Sequence, residues 1–310
     1  MKIRRKSLFL LLALAVFASL FALAWHVKLP ALLWYWAGTF YQARDWRHDS
    51  LWLPGYRVSV DALPIEGVSH NASGLTHDNR TNTLYLAINN PAEIVELSTE
   101  GRVLRRIPVH GVEDLEGVTH VEDDEFFLID ERHQRIYWIS ILPETTRIDV
   151  ANAPQMGLGV LLNGNLGFEG VAWNSGRDLL FVAKEKAPPR IFHIAGLLPD
   201  SHDKPLNLQI QEWRPKVDPG RFLLDLSSLS LHDRTGHLLV LSDESRFLVE
   251  YGKNGELISM MPLWRGWHGL ERSIPQAEGV TIDAQGALYI VSEPNLFYRF
   301  DPLRNAVGGS

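Results

Sequence analysis

Three glutamates recur in one short context. Glu116 stands in LEGVTHV (Leu115–Val121), Glu169 in FEGVAWN (Phe168–Asn174) and Glu278 in AEGVTID (Ala277–Asp283). Two related segments, ASGLTHD (Ala72–Asp78) and LSSLSLH (Leu226–His232), put Ser73 and Ser227 at the same place. A second set of oxygens closes the apolar run that follows each copy: Asn89 and Asn90, Asp130 and Glu131, Glu185, Asp243 and Glu244, and Glu293. Where the two sets meet, the chemistry is that of a hard cation. Calcium takes about 6–8 oxygen ligands in a flexible geometry, and carboxylate, amide and backbone oxygens are all on offer. The candidate ligands are Glu116, Glu169, Glu278, Asp130, Glu185, Asp243, Glu293 and Asn89. Zinc and copper fit less well, because the 12 histidines are scattered and cysteine is absent.

Three carboxylates at roughly 6 Å repel by about 3 kcal/mol per pair at an effective dielectric near 20. Such a group binds a cation, raises its pKa values, or is neutralised by bases. Lys184, Lys186, Arg132, His133 and Arg246 are the neighbours able to neutralise it. A purely structural reading competes. In a repeat protein, the Gly of a recurring Glu-Gly gives a tight entry into a strand, and the Glu accepts from backbone N–H groups. No nucleophile elbow, zincin helix, phosphate-binding loop, dinucleotide fingerprint or EF-hand loop is present. His77 and His120 occupy equivalent places in the first two copies and read as turn or surface residues. Trp173, Trp213, Trp264 and Trp267 read as packing residues, and the acidic run from Glu122 to Glu125 as a solvated turn.

The elements that must carry these residues form a repeat. Each copy is followed by a polar turn and a second apolar run: TLYLAIN (Thr83–Asn89), EFFLIDE (Glu125–Glu131), LLFVAKE (Leu179–Glu185), LLVLSDE (Leu238–Glu244) and ALYIVSE (Ala287–Glu293). Third runs follow (EIVELS, RIYWIS, RIFHIA, FLVEYG and LFYRFD), all short, β-branched or aromatic, and bounded by turn residues. The copies start 43 to 58 residues apart. A four-stranded propeller blade needs about 40–50 residues, so each copy is one blade. Fourth strands are expected at Val103–Val109, near Arg147–Ala151, at Leu206–Trp213 and at Leu257–Leu263. The fifth copy runs out near Pro302, and Tyr56–Ala62 alternates like the strand that completes it and closes the ring. The sequence therefore predicts an all-β propeller of five four-stranded blades. Six blades are the alternative, with a degenerate blade in Gln155–Gly167 or Arg265–Gln276. Antiparallel hairpins return the end of the second strand to the start of the first, so both oxygen sets gather at one end of the central channel.

Ahead of this domain, Lys2, Arg4, Arg5 and Lys6 precede an uncharged run of 19 residues, Ser7 to Trp25. A helix of roughly 20 apolar residues crosses a bilayer, whereas a cleaved signal has an apolar core of about 7–15. The run thus favours an uncleaved inner-membrane anchor with the positive cluster in the cytoplasm and the propeller in the periplasm. Ala22-Leu23-Ala24 fits a competing cleavage site. A second apolar patch, Leu29 to Phe40, is too short to span; it lies either at the membrane interface or against the folded domain. Arg44 to Pro54 reads as a linker. The expected division is 1–28 anchor, 29–55 interfacial segment and linker, 56–305 propeller and 306–310 tail. Charged residues are 22% and net charge is −7, which speaks against nucleic acid as a partner. Absent cysteine excludes disulfides, thiolate metal sites and thiol nucleophiles.

The stretch ASGLTHDNRTNTLYLAINNPAEIVELS, with DLEGVTH and QAEGVTID, resembles the SdiA-regulated family of bacterial β-propellers, from about Tyr56 to Pro302. The resemblance implies a membrane-associated or periplasmic propeller without an established activity. Three functions follow from residues and resemblance together. The first is a membrane-tethered module that binds a small molecule or an envelope protein, with a calcium site at the channel mouth. The second is a calcium-dependent hydrolase of phosphoesters or lactones, in which the ion polarises the substrate and an acidic group activates water. The third is a structural envelope protein.

Overall fold

The second strand of every copy is apolar at consecutive positions, a pattern suited to strands buried on both faces. In the computed structural model, which describes residues 5–159, 167–186, 188–197 and 207–303, five such strands stand radially around a central channel. β1 (Tyr56–Pro64) opens the domain. The first blade is β2 (Ala72–Asp78), β3 (Thr83–Ile88), β4 (Glu93–Ser98) and β5 (Val103–His110). The second is β6 (Leu115–His120), β7 (Glu125–Asp130) and β8 (Arg135–Ser140), completed after the short β9 (Ile148–Asp149) by β10 (Gln155–Gly157). The third is β11 (Phe168–Asn174), β12 (Leu179–Lys184), β13 (Arg190–Ala195) and β14 (Gln209–Glu212). The fourth is β15 (Ser228–His232), β16 (His237–Ser242), β17 (Phe247–Tyr251) and β18 (Leu257–Pro262). β19 (Ala277–Ile282), β20 (Leu288–Ser292) and β21 (Leu296–Pro302) make the fifth, whose outer strand is β1. First and last strands thus close the ring.

The core is divided among the blade interfaces. Side chains alternate along a strand, so each second strand serves two neighbours. In β7, Phe126 and Leu128 pack with Tyr85 and Ala87 of the first blade, while Phe127 and Ile129 pack with Leu180 and Val182 of the third. Five apolar clusters arise this way around the ring. Stability is therefore spread over nearest-neighbour contacts.

Two details depart from expectation. Ile148–Asp149 does not complete the second blade: it pairs in parallel with Val109 and His110 of β5, and β10 takes the place on β8. Ile148 goes there because β5 runs long and Val109 and Val150 bury it between the first two blades. No sixth blade forms among the described residues. Gln155–Gly157 is β10, and 160–166 lie outside the described residues. Arg265–Gln276 is a turn whose Gly266 N–H donates to Leu270 O and Ile274 N–H to Leu263 O.

Three α-helices precede the ring among the described residues. α1 (Arg5–His26) includes Phe9–His26, which is long and apolar enough to cross a membrane and makes no buried contact. α2 (Leu29–Tyr41) docks one face on the fourth blade, so that packing on the folded domain is realised for that face. The expected linker is docked as well. After α3 (Ala43–Trp46), the N–H groups of Leu51 and Trp52 donate to the fully buried Glu250 carboxylate at 2.8 and 3.2 Å, and Leu53 is buried. The expected tail, 306–310, lies outside the described residues.

Candidate metal centre at the channel mouth

The first strands line the channel, and their Glu-Gly pairs do two jobs. The first is spacing. A Cβ on Gly117 would stand 2.8 Å from the Glu169 carbonyl oxygen of the next blade, and one on Gly279 would collide with the Ser73 carbonyl. Glycine is required because neighbouring backbones touch at the hub. The second is a β-bulge. Leu115 pairs with Asp130 and Gly117 with Ile129, leaving Glu116 as the extra residue. The register shifts likewise between Ala277 and Gly279, between Phe168 and Val171, and between Ala72 and Leu75. A bulge re-aims the side chain it carries. β15, with serines instead, pairs without a shift from Ser228 to His232. The hydroxyls of Thr76, Thr119 and Ser228 accept the N–H groups of His120, Trp173 and Val280 in the next blade at 3.1 to 3.2 Å, which locks the strands around the hub.

The result is a ring of carboxylates at one mouth. Glu116, Glu169 and Glu278 come from three blades and are only partly exposed. Oxygens of Asp114, Glu116 and Glu131 lie within 4.8 Å of one another, as do those of Glu131, Glu169 and Glu185. Glu131, named from sequence only as a neighbour of Glu116, therefore bridges two groups; its carboxylate also accepts the Gly167 N–H at 2.9 Å. Burial, then the charges of Glu131 and Asp114, pushes Glu116 up to about 8. Burial, then Asp243, Glu116, Asp225 and Glu293, pushes Glu278 up to about 8. Glu169 is raised well above the usual carboxylate range by burial and by Glu185, Glu278, Glu116 and Glu131. Burial also raises Glu131 and Asp243. Glu116 and Glu278 as folded therefore hold protons at neutral pH, because burial first and crowding second disfavour their charge.

Of the expected ligands, Glu116, Glu169 and Glu185 enter these groups, Glu278 acts on Glu169 by its charge, and Asn89 joins by donating from its amide to Glu116 and, at 2.8 Å, to Asp114. Asp243 and Glu293 stand close enough to raise Glu278, and Asp243 also accepts the Ala277 N–H at 3.1 Å. Asp130 is used otherwise. Fully buried, it accepts the His133 N–H at 3.3 Å and takes a bond from His133 Nδ1 at 2.9 Å, so it caps its own turn. Asp114 was not foreseen. Its signal is a shared dipeptide: Asp114-Leu115 precedes Glu116 as Asp225-Leu226 precedes Ser227. Asp225 likewise sits at this end, accepting the N–H groups of Asp243 and Glu244 at 3.1 Å.

Among the described residues the bases reach one carboxylate of each group of three, Asp114 and Glu185, and not Glu116, Glu169 or Glu278. Arg132 lies 3.6 Å from Asp114, and Lys186 pairs with Glu185 and, at 3.0 Å, with Glu244. Lys184 turns to the Lys186 carbonyl, and His133 to Asp130. Arg246 acts on Asp243 from a distance. Among the described residues no hydrogen-bond donor reaches the Glu169 or Glu278 carboxylate. The donor set is all oxygen, which fits calcium, and no histidine enters either group of three. His77 and His120 lie at the opposite end of the channel, around a cavity of about 60 Å³ shared with Trp173 and Asp233. There burial lowers His77, contrary to its expected surface position. Trp173, Trp213 and Trp264 pack edgewise or tilted on Phe127, Tyr251 and Phe247.

A five-bladed propeller with a carboxylate ring at one mouth is the class that fold and site define. The chain belongs to the SdiA-regulated family, whose family model matches residues 48–301. Solved propellers of other kinds are similar at low identity. Regucalcin, a calcium-binding protein from Agrobacterium tumefaciens, is 11% identical with a TM-score of 0.49, over 78% of this chain and 92% of its own. A gluconolactonase from Xanthomonas campestris is 13% identical with a TM-score of 0.47, over 78% and 96%. Virginiamycin B lyase from Staphylococcus aureus is 12% identical with a TM-score of 0.41, over 81% and 76%.

Proposed function

We propose that the protein is a membrane-anchored binding propeller whose acidic mouth holds a divalent cation, calcium by its donor chemistry. The supporting observation is the crowding of Glu116, Glu169 and Glu278 with Asp114, Glu131 and Glu185, where among the described residues bases pair with Asp114 and Glu185 alone. A bound cation would displace the protons that Glu116 and Glu278 retain and leave outward coordination positions for a small-molecule or protein ligand. The anchor reading rests on α1, with its apolar span and the basic residues before it; by the charge rule the propeller then lies in the periplasm, on the inner membrane of a bacterial cell. The direct test is thermal unfolding with calcium, magnesium, zinc or a chelator. Calcium is expected to raise the Tm, and no effect of any divalent ion ends the proposal.

The calcium-dependent hydrolase is the second reading, favoured by the raised Glu116 and Glu278, since acids tuned toward neutrality suit proton transfer. Calcium-dependent turnover of a phosphoester or lactone would establish it. Silence across such a panel, with calcium bound, leaves the binding module.

A further inference from the structure

α2 carries no charged side chain and has two apolar faces. One is satisfied. Leu32 is buried, Tyr35 stands 5.0 Å from Phe222, and Trp36 meets Trp267 and Phe247 at 4.9 and 5.9 Å. The other is bare. Trp34 is 76% exposed, Phe40 49% and Tyr41 90%. Beside it runs a groove of about 630 Å³ between α2, Trp46, Val217 in the connection from β14 to β15, and Leu257 of the fourth blade. Apolar surface in water costs about 25 cal/mol per Å², so a face of this kind is normally covered.

The placement of α2 says what covers it. α1 ends at His26, and Lys28 between the helices is pinned: its ammonium donates to Gly220 O at 2.7 Å and Leu223 O at 2.6 Å. Two residues of fixed chain therefore separate the apolar span from α2, so α2 begins where the span leaves the bilayer. Aromatic side chains favour that depth. We infer that the outward face of α2 lies in the membrane interface with a phospholipid acyl chain in the groove, seating the propeller on the bilayer by its fourth blade. This rests on the anchor reading above.

The chain has no cysteine, so single substitutions take one fluorescent label each. The full chain, reconstituted in phosphatidylglycerol–phosphatidylcholine vesicles, is labelled at Trp34→Cys, Tyr41→Cys, Leu14→Cys in α1, or Leu104→Cys on the exposed edge of the first blade. Lipids carrying a nitroxide quencher should quench labels 34 and 41 several-fold more than 104, from a shallow position, and label 14 from a deep one. Tyr41 is the most exposed of these sites, so its variant reports even where Trp34→Cys misfolds. Label 14 quenched with 34 and 41 behaving like 104 overturns the inference and leaves the anchor standing. Label 14 unquenched overturns the anchor itself. Shielding of label 34 that follows the protein-to-lipid ratio, with excimer emission from pyrene, assigns the face to a second copy and also overturns it. Groove occupancy is read by native mass spectrometry. A Cβ on Gly38 meets nothing within 4 Å, so Gly38→Trp can enter the groove. It should abolish a retained phospholipid; unchanged retention rejects the groove as its seat.

Discussion

Glu116, Glu169 and Glu278 are costly to ionise as folded, and that fixes what their replacement does. Glu116→Gln, Glu169→Gln and Glu278→Gln together should raise the Tm without calcium and abolish the rise that calcium gives; differential scanning calorimetry reads both. Structural carboxylates would instead lose stability. The pH dependence has the same origin. Glu116 and Glu278 titrate near 8 as folded and near 4.5 in an open chain. Between those values the folded state binds more protons, so stability without calcium falls as pH rises through that window. Calcium needs the ionised form, so its affinity should rise at least about tenfold from near pH 6.5 to near pH 8.5. Titration calorimetry at several pH values checks the sign. The three glutamates were legible in the sequence because the repeat aligns them. Asp114 was not, because it precedes the repeated strand and only the fourth copy echoes it. Asp130 stands one residue before the place that Glu131, Glu185 and Glu293 hold in their copies, so alternation along the strand turns it elsewhere, to His133.

At the scale of the element, the bulged Glu-Gly pair joins geometry to chemistry. Gly279→Ala should cost about 1–3 kcal/mol, since nothing at the hub can retreat from the Ser73 carbonyl. Gly157→Ala in β10, where a Cβ meets nothing within 4 Å, should be neutral or stabilising by up to about 1 kcal/mol. Urea denaturation compares the two. Glu250 holds the segment ahead of β1. Besides Leu51 and Trp52 it accepts from His237 Nδ1 at 2.8 Å and the Ser259 hydroxyl at 2.6 Å. Glu250→Gln turns an acceptor into a donor facing N–H groups and should cost about 1–3 kcal/mol. Hydrogen exchange should quicken first at Leu51–Leu53. Strand periodicity showed the inner and second strands plainly. It could not show that Leu51–Leu53 is docked, because the partner lies about 200 residues on, nor that Ile148 joins the first blade, because a two-residue strand is fixed by burial alone.

For the whole molecule, ring closure by β1 and β21 turns five separate copies into one channel with two unlike mouths. One mouth is acidic; the other holds His77 and His120. Blade number and closure were readable from repeat spacing and the unpaired strand at Tyr56. The seat of α2 was not, because an uncharged helix suits a bilayer and a propeller edge equally; here one face packs on the fourth blade and the other is exposed. The most direct measurement is a calcium titration of the full chain by calorimetry at about pH 8.5, where Glu116 and Glu278 are mostly ionised. One saturable calcium per chain, lost in the triple glutamine variant, is the predicted result. No heat of binding and no change in Tm at roughly millimolar calcium would contradict the account.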